Sequence, residues 1–381
     1  MTPPIQKIGL ALSGGGIRAM AYHCGVLRRL AETGRLEAVS QVSTVSGGSL
    51  FIGLVLASND WKWPISDQYI ELVHPKIRNL LTNVDLQSKA MKRLFHPKNW
   101  KYLLSRANVF SQCIEKYWEV TANLGELPES PTWSINGTTA ETGRRFRFKQ
   151  DDCGDYELGY ASASNFKVAD AMAVSASFPL GIGPFVIHSS DLIWWKRKTW
   201  AAFSSETEQV RLAYPKLHLY DGGVYDNLGL EPLFDIGNRK LKSNANYLIV
   251  SDAGMPLARK SLSGPMSPFR LKRIFDISLD LSRSLRIRSL SNYFQNTPNA
   301  GVYLQIGADP KARINAYKAN NEEMASELLL LDWLCLSDVE KVAKYPTTLS
   351  KLDPSDFDLI ERHAYETAYW NEKLFSIKCE N

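Results

Sequence analysis

Three short stretches of the 381-residue sequence combine residue types suited to nucleophilic chemistry. Thr44-Val45-Ser46-Gly47-Gly48 sets a serine between a β-branched run and small residues, which suits a tight strand-to-helix turn that lifts the hydroxyl out as a nucleophile. The same serine reads equally as a helix N-cap, and Thr44 stands where the G-x-S-x-G elbow has glycine. Ser13-Gly14-Gly15-Gly16-Ile17-Arg18 lies between an apolar run and a helical one, where free backbone N–H groups favour a negative ligand atom. It also satisfies the dinucleotide pattern G-x-G-x-x-A through Gly14, Gly16 and Ala19, with Glu37 near the distance of a ribose-binding acid. That acid, however, precedes the second strand instead of ending it. Tyr220-Asp221-Gly222-Gly223 places a carboxylate at a strand end beside glycines, and also fits a plain Asp-Gly turn.

A serine nucleophile needs a proton acceptor, usually histidine. The six histidines fit that role poorly. His23 follows the glycine loop on a helix, His74 and His96 lie in a helical stretch, and His188 in an irregular one. His218 and Asp221 are an odd number of strand positions apart and point to opposite faces. A serine-acid-histidine order would leave only His363, with Ser46 too early for that fold's nucleophile strand. The pattern points to a carboxylate acting directly as the base.

The elements that must position these groups begin with a strand at 8–12, a helix at 19–33 closed by Gly34, a second strand at 39–45 and an apolar helix at 50–57. Such a βαβα start predicts a parallel sheet. Residues 61–125 read as a helical insertion. Strands are expected at 133–140, 145–149, 217–220, 247–251 and 301–306. Helices are expected at 166–177, at 270–290 by the spacing of Leu271, Ile274, Ser278, Leu281 and Leu285, and in a C-terminal helical part over 308–381. One α/β domain spanning 1–381 accommodates them all.

Composition narrows the function classes. Forty-five basic and forty acidic residues leave a net charge of +5, too mild for a dedicated nucleic-acid binder. With 44% hydrophobic and 22% charged residues the chain is ordinarily globular, not disordered. Its five cysteines, Cys24, Cys113, Cys153, Cys335 and Cys379, show no metal-binding or disulfide spacing. The longest apolar run, 50–57, is far short of a bilayer span, and the first six residues do not resemble a leader. A cytoplasmic protein, peripheral at most on the inner face of the membrane, is expected.

The glycine loop, the serine elbow, Ala173-Val-Ser-Ala-Ser-Phe-Pro179 and Asp221-Gly-Gly, in this order and rough spacing, resemble the patatin-like phospholipases. The Ser13-Gly-Gly-Gly-Ile-Arg18 version looks like the bacterial branch. The resemblance implies a three-layer α/β/α fold with a mainly parallel central sheet. It implies Ser46 as nucleophile, Asp221 as the base of a Ser-Asp dyad, and Gly14, Gly15 and Gly16 as the oxyanion hole, with no cofactor or metal. Arg18, Gly48, Gly222 and Gly223 would support the site, Arg18 in a structural or anion-orienting role. The implied substrate is a membrane phospholipid, cleaved at its fatty-acyl esters. Some bacterial relatives are switched on by a signal or partner, and an activating ligand or protein and a homo-oligomer both stay open for this chain.

Trp194, Trp195, Lys196, Arg197, Lys198 and Trp200 have the composition of a segment resting at a lipid interface, and equally of a packed surface loop. The six cations between Arg270 and Arg288 could meet phosphate head groups or simply water. Three function classes therefore stand: a lipid acyl hydrolase, a catalytically impaired membrane-binding module, and a dinucleotide-binding protein.

Overall fold

The computed structural model describes residues 6–102, 105–179, 181–197, 206–242, 244–262, 264, 266–267 and 269–375. β1 (Ile8–Leu12) leads through the glycine loop into α1 (Gly16–Glu32), and β2 (Val39–Val45) turns at Ser46 into α2 (Gly47–Ala57). Helices α3 to α6 (Ser66–Gln68, His74–Asn83, Leu86–Leu94, Ala107–Tyr117) then run to β3 (Thr132–Thr139). β4 (Arg145–Phe148), β5 (Asp152–Asp155) and β6 (Gly159–Ser162) precede α7 (Val168–Ser175). β7 (Phe185–His188), β8 (Trp194–Arg197), β9 (Thr207–Val210) and β10 (Lys216–Asp221) lead into the short α8 (Gly223–Asp226).

After a small hairpin of β11 (Phe234–Asp235) and β12 (Lys240–Leu241) come β13 (Tyr247–Asp252), the long α9 (Phe269–Asn296) and β14 (Gly301–Gln305). Four helices end the chain: α10 (Pro310–Ala316), α11 (Glu322–Leu329), α12 (Leu336–Ala343) and α13 (Pro354–Phe375).

The centre of the sheet is parallel, in the order β14-β13-β1-β2-β3. From β3 it continues antiparallel through β4, β5, β6, β8 and β9, while β10 lies antiparallel between β3 and β7. β1 (Ile-Gly-Leu-Ala-Leu) and β13 (Tyr-Leu-Ile-Val-Ser-Asp) are buried on both faces, β1 apolar throughout and β13 over its first four residues. Alternate residues serve opposite layers. Leu10 and Ile249 face the main core with α1, α2 and α13, whereas Ala11, Leu248 and Val250 pack with Leu228, Leu230, Phe234 and Leu290 of α9 on the other side. Helices thus cover both faces of the sheet, giving three layers.

The strands end at one edge with Ser13 after β1, Ser46 after β2 and Ala253 after β13, the usual location of a ligand crevice in such sheets. Cys24, Cys113 and Cys153 are buried free thiols and Cys335 is an exposed one, while Cys379 lies outside the described residues. No helix among the described residues is long and apolar enough to cross a membrane.

Candidate active site

β2 ends at Val45 and α2 begins at Gly47, leaving Ser46 at the corner with φ 51° and ψ −121°. A non-glycine residue adopts this conformation only when its surroundings hold it there. The Ser46 N–H donates to the carbonyl of Ser175 at 3.1 Å and to its hydroxyl at 3.0 Å. Beneath it runs a chain of buried groups. Trp133 Nε1 meets Thr44 Oγ1 at 2.8 Å, which meets Ser49 Oγ at 2.7 Å. Ser49 Oγ meets Ser175 Oγ at 2.8 Å, and Ser175 Oγ meets the Asn136 carbonyl at 2.7 Å. Gly48 lies so close to β1 that a Cβ there would come within 2.5 Å of the Leu12 carbonyl oxygen.

Asp221 closes β10 and is almost wholly buried. Its N–H donates to the Ser177 carbonyl at 3.0 Å, and its carbonyl accepts the Thr138 hydroxyl at 2.9 Å. The carboxyl Oδ1 accepts the N–H of Gly223 at 2.7 Å, and the Ser46 hydroxyl is near enough to favour the charged form. Burial disfavours the charged carboxylate, the Gly223 N–H and the Ser46 hydroxyl favour it, and the balance is pushed up to about 7. Gly222 packs on Asn136, and its N–H reaches the Ser175 carbonyl at 3.4 Å. Ser46 and Asp221 are 175 positions apart in the chain, and the fold brings them together.

The glycine loop faces the same point, since a Cβ on Gly14 would lie 2.9 Å from the Ser46 Cβ. Gly14 differs from the expectation as an oxyanion donor: its N–H is committed to the Asn227 carbonyl at 3.1 Å. The N–H groups of Gly15 and Gly16 make no hydrogen bond among the described residues and start the positive end of α1. Gly16 has φ 61°, and a Cβ there would strike the Thr348 carbonyl oxygen at 2.4 Å. Asn227, not singled out from the sequence, wedges its side chain between Gly14 and Gly223.

Arg18 is buried, with its guanidinium on backbone carbonyls and a hydroxyl. Its Nε and Nη2 hold the Ala253 carbonyl at 3.1 and 3.0 Å, and Nη1 reaches the Tyr345 carbonyl and, at 3.1 Å, Thr347 Oγ1. His23 braces the loop from below. Burial drives its pKa down to about 4, so the neutral ring donates from Nε2 to the Ser13 carbonyl at 2.9 Å and accepts from Ser251 Oγ at Nδ1. His363 is likewise buried and neutral, accepting the Gly307 N–H.

Other expected residues fall elsewhere. Glu37 receives the N–H and hydroxyl of Ser66, both at 2.7 Å, and caps a helix there instead of marking a ribose site. Trp194 is no lipid contact: it is 2% exposed in the middle of the antiparallel wing, with its indole N–H on the Ser189 carbonyl. Strand alternation then turns Trp195 outward, at 44% exposure, with Lys196 half-buried on the Glu157 carbonyl and Arg197 exposed. Lys198 and Trp200 lie outside the described residues. Among the described residues, no group of three or more His, Cys, Asp or Glu side chains is arranged around a common metal position.

Residues 10–234 match the family model described as patatin-like phospholipase. The chain belongs to the patatin-like phospholipase family. Among solved structures, the chain is similar to human GIVD cytosolic phospholipase A2, with a TM-score of 0.52 and 14% identity over 97% of this chain and 59% of that one. The same human enzyme in complex with methyl gamma-linolenyl fluorophosphonate and terbium chloride matches with a TM-score of 0.51 and 14% identity over 97% and 58%. VipD from Legionella pneumophila matches with a TM-score of 0.32 and 12% identity over 99% and 93%. The chain spans about three fifths of the human chains, and their likeness at this identity is one of fold. No curated protein matches it.

Proposed function

We propose that the protein is a lipid acyl hydrolase of phospholipase A or lysophospholipase type, working peripherally on membrane phospholipids with Ser46 as nucleophile and Asp221 as its base. The observation that carries this reading is a strained serine meeting a buried carboxyl of raised pKa, beside two glycine N–H groups that make no bond among the described residues. Family membership supports the lipid-ester substrate class.

Ser46 Oγ attacks the ester carbonyl carbon while its proton passes to the Asp221 carboxylate. The carbonyl oxygen becomes an oxyanion received by the Gly15 and Gly16 N–H groups, each donor contributing about 2.7–4 kcal/mol by analogy with other hydrolases. The C–O bond to the glycerol oxygen then breaks, and that oxygen leaves with the proton returned by Asp221. Water repeats the sequence on the acyl-enzyme: its proton goes to Asp221, its oxygen adds to the carbonyl, and Ser46 departs reprotonated, releasing the fatty acid. A base near pH 7 suits both proton transfers, because it accepts and returns a proton with little penalty.

Fatty-acid release from mixed phospholipid vesicles tests this. Ser46→Ala and Asp221→Asn, each checked for an intact fold by circular dichroism, are expected to lose activity by about a thousand-fold or more. A fluorophosphonate probe should label the wild type and not Ser46→Ala. Release retained by folded Ser46→Ala overturns the reading. Binding to vesicles without release or labelling would instead identify an inactive membrane-binding relative.

A further inference from the structure

α9 reverses the usual arrangement of a surface helix. Leu271, Ile274, Leu281 and Leu285 are 73, 59, 54 and 53% exposed, and with Ser278 they form one outward row about 21 Å long. The buried positions of the helix are instead Arg283 and Leu290. Arg283 turns inward to Asp252 at 2.6 Å and Arg286 to Asp226 at 3.2 Å, which fixes the face that looks outward. Four large apolar side chains exposed in one row, with Ser278 at its middle, mark an interaction surface.

The surroundings of the row are cationic. Besides the inward-turned Arg283 and Arg286, residues 259–290 carry six Lys and Arg against two Asp, and Asp276 is paired with Lys272 at 2.8 Å. At the N-terminal end of the helix a recess of about 120 Å³ is lined by Lys260, Lys272, Arg273 and Asp276, between apolar Leu262 and Phe269. α9 also touches the surroundings of the site: the Phe275 ring lies 5.9 Å from that of Phe178, which follows the residue whose carbonyl holds the Asp221 N–H.

We propose that α9 docks the protein on an anionic phospholipid surface, with Leu271, Ile274, Leu281 and Leu285 entering the acyl boundary and Lys260, Lys272 and Arg273 receiving a head-group phosphate. Apolar burial and attraction to anionic lipid add in such an element. A second copy of the chain fits less well, because two such helices would bring like-charged flanks together. Docking here brings α9, and with it the Phe275–Phe178 contact, to the bilayer. The choice of lipid as occupant rests on the hydrolase reading, whereas the measurement does not.

Co-sedimentation with phosphatidylcholine vesicles, with and without about 30 mol% phosphatidylserine, tests the docking in a Ser46→Ala background where nothing is hydrolysed. Binding is expected on the anionic vesicles, with about a ten-fold or greater loss in Leu281→Asp/Leu285→Asp and a comparable loss in Lys260→Glu/Arg273→Glu. Fluorophosphonate labelling of the same substitutions carried in the Ser46-containing protein, without vesicles, reports whether the fold and site are still formed. Undiminished binding in the leucine variant overturns the proposal. So does a dimer that this variant dissociates without affecting vesicle binding, or a loss found only in Trp195→Ala. Failure of labelling in the wild type would sink the Ser46 mechanism and leave the vesicle result standing on its own.

Discussion

Trp133 Nε1 donates to Thr44 Oγ1 across 2.8 Å at the head of a chain of hydroxyls beneath Ser46, and the direction of every proton in that chain is set at its other end. An indole N–H only donates and the Asn136 carbonyl at the far end only accepts. Thr44 must therefore give its proton to Ser49, Ser49 to Ser175, and Ser175 to Asn136, leaving Ser175 Oγ free to accept the N–H of Ser46.

Thr44→Gly, which restores the commoner elbow residue, is accordingly expected to weaken this protein. It strands the buried Trp133 N–H and removes one link of the relay, at a cost of about 1–3 kcal/mol. Denaturant unfolding should show that loss, and fluorophosphonate labelling of Ser46 should slow. Thr44→Ser keeps the hydroxyl and should recover most of the labelling rate.

With Asp221 pushed up to about 7, activity should rise with pH and level off above neutrality, with an apparent midpoint near 7 in kcat/KM for a soluble ester. The same shift acts on stability with the opposite sign. The neutral carboxyl is the form the fold prefers, so its contribution is complete below about pH 4 and is lost as pH rises through 7. Asp221→Asn removes that loss. It should match the wild type in stability near pH 4 and exceed it near pH 8 by on the order of 2–4 kcal/mol in denaturant unfolding.

Gly16→Ala tests the oxyanion loop. Its φ of 61° and the Thr348 carbonyl oxygen 2.4 Å from a Cβ there mean the loop must move to admit a methyl group. Misaligned donors should lower kcat by about a hundred-fold or more with little change in KM, as measured on a soluble ester.

Arg18→Lys separates bracing from anion binding. An ammonium cannot span the Ala253 carbonyl together with the Tyr345 and Thr347 oxygens as the planar guanidinium does. Lysine should therefore not rescue the site: stability is expected to fall by about 2 kcal/mol or more with activity reduced alike on anionic and zwitterionic substrates. Selective loss on anionic substrates would show that Arg18 reads the head group.

The glycine loop, the elbow and Asp221 were legible because each needs a local residue pattern at the end of a strand. The antiparallel wing was not. β5, β6, β8 and β9 are four residues each, so neither length nor periodicity separates them from loops. Trp194 and Trp195 carried a usable signal in strand alternation, which puts one tryptophan in and the next out, but composition alone reads them as one patch. The row from Leu271 to Leu285 was legible as one face of a helix, while periodicity is silent on whether that face looks inward. Asn227 acts through its carbonyl and a wedge between two glycines, which no residue type announces.

The clamps on the glycine loop come from far downstream: Ala253, Tyr345, Thr347 and Thr348 all hold Arg18, Ile17 or Gly16, and all lie beyond residue 234. A fragment cut at that point would keep nucleophile, base and glycines yet lose the grip that aligns them. The stretch that is inherited as a recognisable pattern is thus not a portable part, and grafting it alone onto another scaffold would transfer the signature without the craft.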